Sequence, residues 1–132
     1  LLWNPVEISG YDIGFFDGTG APLHGNNRFV LHLDPPPPVN AFWSLTLYSA
    51  RTGFLTANPI NRYSVGDRTP GIVYGDNGEL SIYIQHEMPT DPAERANWLP
   101  APAEPYYLII RYYSPRAPLL TGDWMPPALI AR

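Results

Sequence analysis

Seventeen prolines and eleven glycines are spread through 132 residues, and this punctuation constrains the fold more than any other feature. Proline breaks helix interiors and glycine weakens them, so almost no window is long enough for a helix core. Between the breaks lie short segments in which apolar and polar residues alternate, the period of a half-buried strand. Tyr11, Ile13 and Phe15 share one face of segment 11–17, which turns at Gly18-Thr19-Gly20. Phe29, Leu31 and Leu33 share a face of 27–33, and Trp43, Leu45 and Leu47 a face of 41–48.

Residues 71–74 and 80–86 flank Gly75-Asp76-Asn77-Gly78, which predicts a hairpin with Asn77-Gly78 in a type I′ turn. Residues 106–113 are apolar or aromatic on both faces apart from Arg111, the pattern of a central strand covered on both sides. Asp91-Pro92 with Glu94 has an N-cap and a proline at the first helical position, so one short helix is expected around residues 91–97. Residues 114–132 are expected to run irregularly over the surface, with a turn at 117–120. The four prolines 35–38 read as a stiff connector between strands. Together these readings give an all-β fold: an antiparallel two-layer β-sandwich of jelly-roll type in a single domain over 1–132.

Twelve acidic residues against eight basic ones give a net charge of −4, and all eight basic residues are arginine. No basic run exists, which removes the electrostatic footprint of a nucleic-acid or anionic-membrane partner. The longest apolar runs fall well short of the ~20 residues of a membrane helix. With no cysteine, a disulfide framework, a thiolate nucleophile and a cysteine-ligated metal are excluded. The chain opens on Leu1-Leu2-Trp3 without methionine, which reads as a processed product or an excerpt.

Several words, in order, resemble one family: NAFWSLTLYS, GFLTANPINRYSVGDRTPG, DNGELSIYIQHEMP, ANWLPAPAEPYYLIIRYYSP and GDWMPP. The chain is similar over roughly residues 10–127 to family 1214 of the bacterial domains of unknown function. That resemblance implies a jelly-roll-like β-sandwich. It also implies a companion domain of family 1254 as a frequent neighbour and an exported, periplasmic setting, with a cytoplasmic one left open. It transfers no catalytic mechanism to numbered residues.

Four groups of residues are candidates for a site. In the loop 58–71, Arg62 and Arg68 with Asp67, Tyr63 and Ser64 could hold a carboxylate or phosphate. The alternative, which we favour, is a structural lock in which Arg62 pairs with Asp67 while Asn58 and Asn61 cap the turns. His86, between Gln85 and Glu87, falls in register with Leu80, Ile82 and Ile84, placing it on the core side near a rim as a general base or as a hydrogen-bonded structural histidine. Asn97-Trp98 offers an indole beside an amide for a sugar or aromatic ligand, or else a plug closing one end of the sandwich. Arg111 needs a partner or a solvated rim, with Glu104, Glu87, Asp67 and Asp12 as the candidate partners.

No pair among His24, His32 and His86 has metal-ligand spacing, and no GxSxG, GxGxxG or phosphate-loop motif occurs, so no cofactor or metal is assigned. Three functions follow. A binding or assembly module without autonomous catalysis, partnered by itself, a companion domain or an unidentified small ligand, predicts an aromatic patch on one exposed sheet face. A hydrolase or lyase on an anionic substrate predicts that His86, an arginine and an acid such as Asp67 converge in one pocket. A carbohydrate-binding module predicts Trp98 or Trp43 exposed and flat.

Overall fold

The alternating segments become strands because each has one apolar side to bury, and two sheets packed face to face bury both. The computed structural model describes residues 3–6 and 10–132. In chain order the elements are β1 (Trp3–Val6), β2 (Tyr11–Gly14), β3 (Phe29–Leu33), β4 (Val39–Ser49), β5 (Ser64–Gly66), β6 (Leu80–Gln85), α1 (Pro92–Ala96), β7 (Trp98–Pro100), β8 (Tyr106–Pro115), α2 (Ala117–Thr121) and β9 (Ile130–Ala131). One sheet has the order β1-β2-β8-β4-β5 and the other β7-β6-β3-β9. The result is an all-β sandwich. Every pairing is antiparallel except β6 with β7, which is parallel.

The core lies between the sheets. Trp43, Leu45 and Leu47 of β4 and Tyr106, Leu108, Ile110 and Tyr112 of β8 face Phe29, Leu31 and Leu33 of β3 and Leu80, Ile82 and Ile84 of β6, all buried. The faces expected for 27–33 and 41–48 are therefore the ones observed. The four prolines carry the chain from β3 in one sheet to β4 in the other. Their carbonyls are used: Pro38 accepts from the Arg116 N–H at 2.9 Å and Pro35 from the Trp124 indole at 2.9 Å. α1 starts where expected, with the Asp91 carboxylate accepting from the Ala93 N–H at 2.9 Å.

Several expectations are corrected. Residues 71–74 form no strand, because Val73 bonds to the Asn97 side chain instead of a ladder partner. Its turn is not type I′ either. The Gly78 N–H bonds to the Gly75 carbonyl at 3.1 Å, and only Gly78 takes a positive φ, +82°. That is a type I turn closed by a left-handed glycine. In segment 11–17 the strand ends at Gly14, which is buried against the Trp3 ring, and Phe15 is exposed. The C-terminal stretch is less irregular than expected, since α2 occupies 117–121 and β9 pairs with the edge of β3.

β8 is not covered on both sides. Its inner residues are buried, but Tyr107, Ile109 and Arg111 are half-buried and Tyr113 is exposed. A row of aromatic and β-branched side chains on the second face fits a covered strand and an open adhesive one equally well, and sequence periodicity alone does not separate them.

Candidate functional site

The loop 58–71 is built by its own polar side chains. Asn58 Oδ1 accepts from the N–H groups of Ile60 (3.3 Å) and Arg62 (3.1 Å), and its Nδ2 donates to the Arg62 carbonyl at 2.9 Å. Asn58 is thus the cap expected of it. Asn61 serves differently, taking a left-handed φ of 51° that asparagine tolerates better than most residues.

The expected Arg62–Asp67 ion pair does not form. Arg62 Nη1 donates to the carbonyl of Ala96 (2.9 Å), the last residue of α1, where unsatisfied helix-end carbonyls favour a cation, and to that of Trp98 (3.0 Å), the first residue of β7. Asp67 instead accepts from the Trp43 N–H at 3.1 Å. Arg62 thus fastens the loop to α1 and β7 rather than to itself. Burial pulls the Arg62 guanidinium below its ordinary value, as desolvation of a cation should.

Within this loop β5 pairs with β4, and a cleft of about 610 Å³ opens between the start of β4 and the loop, lined by Phe42, Ser44, Arg62, Ser64, Arg68 and Thr69 among others. Arg68 lies over the Phe42 ring, 4.2 Å from its centroid. No described hydrogen bond or ion pair uses its guanidinium.

His86 lies beyond the end of β6 and is exposed, not on the core side. The alternation stops at Gln85, which is buried. His86 Nδ1 is 2.8 Å from the Ala101 carbonyl, and a carbonyl can only accept, so Nδ1 carries the hydrogen. The residue lines a separate cleft of about 370 Å³ with Asn58, Ala101 and Glu104. The structure therefore does not bring His86 and Arg62 into one pocket.

Trp98 is 1% exposed and its indole donates to the Gln85 carbonyl at 2.9 Å. Trp43 is 2% exposed. Neither is open to a stacking ligand; Trp98 stands in register with Tyr83 of β6, and it is Leu99, in register with Ile84, that joins the core. Asn97, buried, exchanges hydrogen bonds with Val73 and Ser81.

Arg111 has none of the partners considered for it among the described residues. Glu104 is held by Ser49 and Arg51, and Asp12 by Tyr112. Arg111 stands on the outer face of the five-stranded sheet, paired in register with Tyr11 and Ser44, with the Tyr48 ring 5.8 Å away. This face was missed residue by residue, although its signal was present: positions 42 and 48 of β4 are aromatic and share one parity, and so do positions 107 and 113 of β8. Phe42 stacks on Tyr113 at 4.1 Å, Tyr48 on Tyr107 at 5.4 Å, and Phe15 lies 5.4 Å from Tyr107.

On the inner side of β2, Asp12 accepts from the Tyr112 hydroxyl at 2.7 Å. Burial raises the Asp12 carboxyl above its ordinary value, outweighing the Tyr112 hydrogen bond that lowers it, and burial also raises Tyr112. A raised carboxyl binds its proton more tightly in the folded state, so this contribution is complete below the ordinary carboxylate range and is lost as pH rises through the folded value. Asp12→Asn keeps an oxygen for Tyr112 and cannot ionise. Its melting temperature should exceed that of the wild type by roughly 2–3 °C at neutral pH, with the gap closing on acidification; thermal melts from pH 3 to 8 check this, and a pH-independent gap would refute it.

Comparison with known proteins adds kinship but no activity. No functionally curated protein matches the chain. The crystal structure of the VPA0106 protein from Vibrio parahaemolyticus is similar, with 29% sequence identity and a TM-score of 0.82, over 94% of this chain and 30% of that one. The chain therefore spans under a third of that relative. A family profile described as a protein of unknown function, DUF1214, matches residues 9–117. With the loop 58–71 and every strand from β2 to β8 inside the match, the chain belongs to the DUF1214 family.

Proposed function

We propose that this domain is a binding or assembly module without catalysis of its own, and that its working surface is the outer face of the five-stranded sheet. The observation that carries the reading is the stacked aromatic ladder there. Tyr113 and Phe15 are 41% and 38% exposed, and Phe42, Tyr48, Tyr107 and Ile109 are half-buried. Aromatic residues and arginine without lysine are the composition of interface cores. The other sheet's outer face is unlike it: His32 bonds to Ser81, and Arg132, lying over Tyr83, pairs with Glu94.

The partner is an apolar polypeptide surface bearing carboxylates. The described strand positions of this face carry one charge, Arg111, and Arg68 folds onto Phe42 beside it. Two guanidiniums set against each other across a twofold axis would oppose self-pairing, whereas an acidic partner complements them. The relative from Vibrio parahaemolyticus, in which the matched region is 30% of the chain, illustrates a domain of this shape sharing its polypeptide with further structure. A catalytic reading built on His86 and Arg62 lacks support, because they line different clefts and both donate to backbone carbonyls.

The anionic aromatic dye 8-anilinonaphthalene-1-sulfonate mimics such a partner. Titrated into the folded domain, it should bind saturably, and Tyr107→Ser/Tyr113→Ser should weaken binding about tenfold. No saturable binding, or binding indifferent to the double variant, would overturn the reading. Concentration-dependent dimerisation in sedimentation, abolished by the same variant, would assign the face to a second copy and refute the acidic partner.

A further inference from the structure

The ladder ends at the cleft between β4 and the loop 58–71, and the two share Phe42 and Ser44. We propose that this cleft takes a carboxylate of the docked polypeptide on the Arg68 guanidinium, with Arg62, which lines the same cleft, as a fixed second charge. The inference rests on the reading above for its aromatic half and on separate observations for its anionic half.

The first is charge. The chain has twelve acids and eight arginines, yet two arginines and no acid line the cleft. Asp67, next to Arg68 in sequence, is not a lining residue, and its Oδ1 accepts from the Trp43 N–H. A concave site carrying one sign of charge concentrates counter-ions of the other.

The second is the presentation of Arg68. The Arg68 Cζ lies 4.2 Å from the Phe42 ring centroid, and none of the described hydrogen bonds or ion pairs uses its N–H groups, which leaves a fork that can match a carboxylate in bidentate fashion. Phe42 is itself held by stacking on Tyr113. Arg68 is thereby pre-oriented, and an ordered cation loses less entropy when an anion arrives.

The third is the rigidity of the loop. Asn58 ties residues 60–62, Arg62 is anchored to Ala96 and Trp98, and the Thr69 hydroxyl accepts from the Gly66 N–H at 2.9 Å while the Thr69 N–H returns to the Gly66 carbonyl at 3.2 Å. Arg62 spends two of its five donors on carbonyls and has no carboxylate partner among the described residues. An anion in the cleft would offset the desolvation of that charge. The Ser44 and Ser64 hydroxyls at the same wall can serve the remaining carboxylate lone pairs.

The carboxylate can belong to an acidic side chain or to a chain end, and three peptides separate these sources: N-acetyl-Glu-Phe-amide, N-acetyl-Gln-Phe-amide and N-acetyl-Gln-Phe with a free carboxylate. In 1H–15N NMR titrations at low salt, at least one acidic peptide should bind about tenfold tighter than the neutral one, shifting amides of 64–69. Arg68→Gln should bring it down to the neutral level, and Arg68→Lys should restore part of the difference. The tighter acidic peptide identifies the source. Equal affinity for all three, no binding by any, or an Arg68→Gln protein that still prefers the acid would overturn the carboxylate site. If dye binding nevertheless responds to Tyr107→Ser/Tyr113→Ser, the sheet-face reading stands and only the anionic inference falls.

Discussion

Asn97→Ala should lower the melting temperature by about 10 °C, a loss near 3 kcal/mol. Asn97 is 5% exposed, and its side chain replaces a missing strand pairing. Oδ1 accepts from the Val73 N–H at 2.9 Å, while Nδ2 donates to the Val73 carbonyl at 2.7 Å and to the Ser81 carbonyl at 3.0 Å. Alanine would strand one N–H and two carbonyls, and each orphaned group costs about 1–3 kcal/mol where water does not reach it. Partial exposure of Val73 keeps the total at the lower end of that sum. Asn97→Asp should do no better at neutral pH, since it sets a carboxylate oxygen against both carbonyls, and it should recover partly in acid, where a protonated carboxyl donates again. Calorimetric melts of both variants decide the matter: an alanine variant within about 2 °C of the wild type would show that the amide bridge is not holding residues 71–74.

The same residue shows where sequence reading reached its limit. Strands β3, β4, β6 and β8 were legible because each is at least five residues long and pairs one apolar face with the core, which is the signal that periodicity carries. α1 was legible from Asp91-Pro92, whose cap and ring act locally. β5 and β7 have three residues each and β9 two, too few for a period, and their existence depends on partners far along the chain. The hairpin expected between 71–74 and β6 failed for the same reason: Asn97, some two dozen residues on, took the Val73 N–H and carbonyl for itself.

Site residues followed a parallel division. The loop 58–71 announced itself by composition, and Asn58 capped it as local chemistry required. The partner of Arg62 did not follow from its neighbours. Asp67 was the near opposite charge, but the carbonyls at the end of α1 and the start of β7, 34 and 36 residues away in sequence, offered hydrogen bonds in a less hydrated place. Arg111 on an apolar strand was recognised as unusual, while the open outer face that accounts for it was not. An arginine among tyrosines on a half-exposed sheet keeps its charge near water and its stem on the rings, so no carboxylate is required.

Gly25→Ala should be the most damaging single substitution described for this domain, about 3 kcal/mol or more. The cause is contact rather than backbone conformation, because Gly25 has no left-handed φ. A Cβ there would sit 1.7 Å from the Pro102 carbonyl oxygen and 3.0 Å from the Ala103 Cα, both backbone atoms that cannot swing aside as a side-chain end can. At this crossing the Gly25 N–H bonds to the Glu104 carbonyl at 3.2 Å, the Tyr106 N–H bonds to the Leu23 carbonyl at 3.1 Å, and His24 bridges to Pro105. Moving either strand of chain breaks these together and unseats Leu23 and Tyr106 from the core. Gly20→Ala is the matched control. Gly20 has a φ of +90° and nothing within 4 Å of its added Cβ, so its cost is conformational only, about 1–2 kcal/mol. If chemical denaturation ranks the two variants the other way round, the close approach of residues 25 and 102 is not what fastens that end of the sandwich.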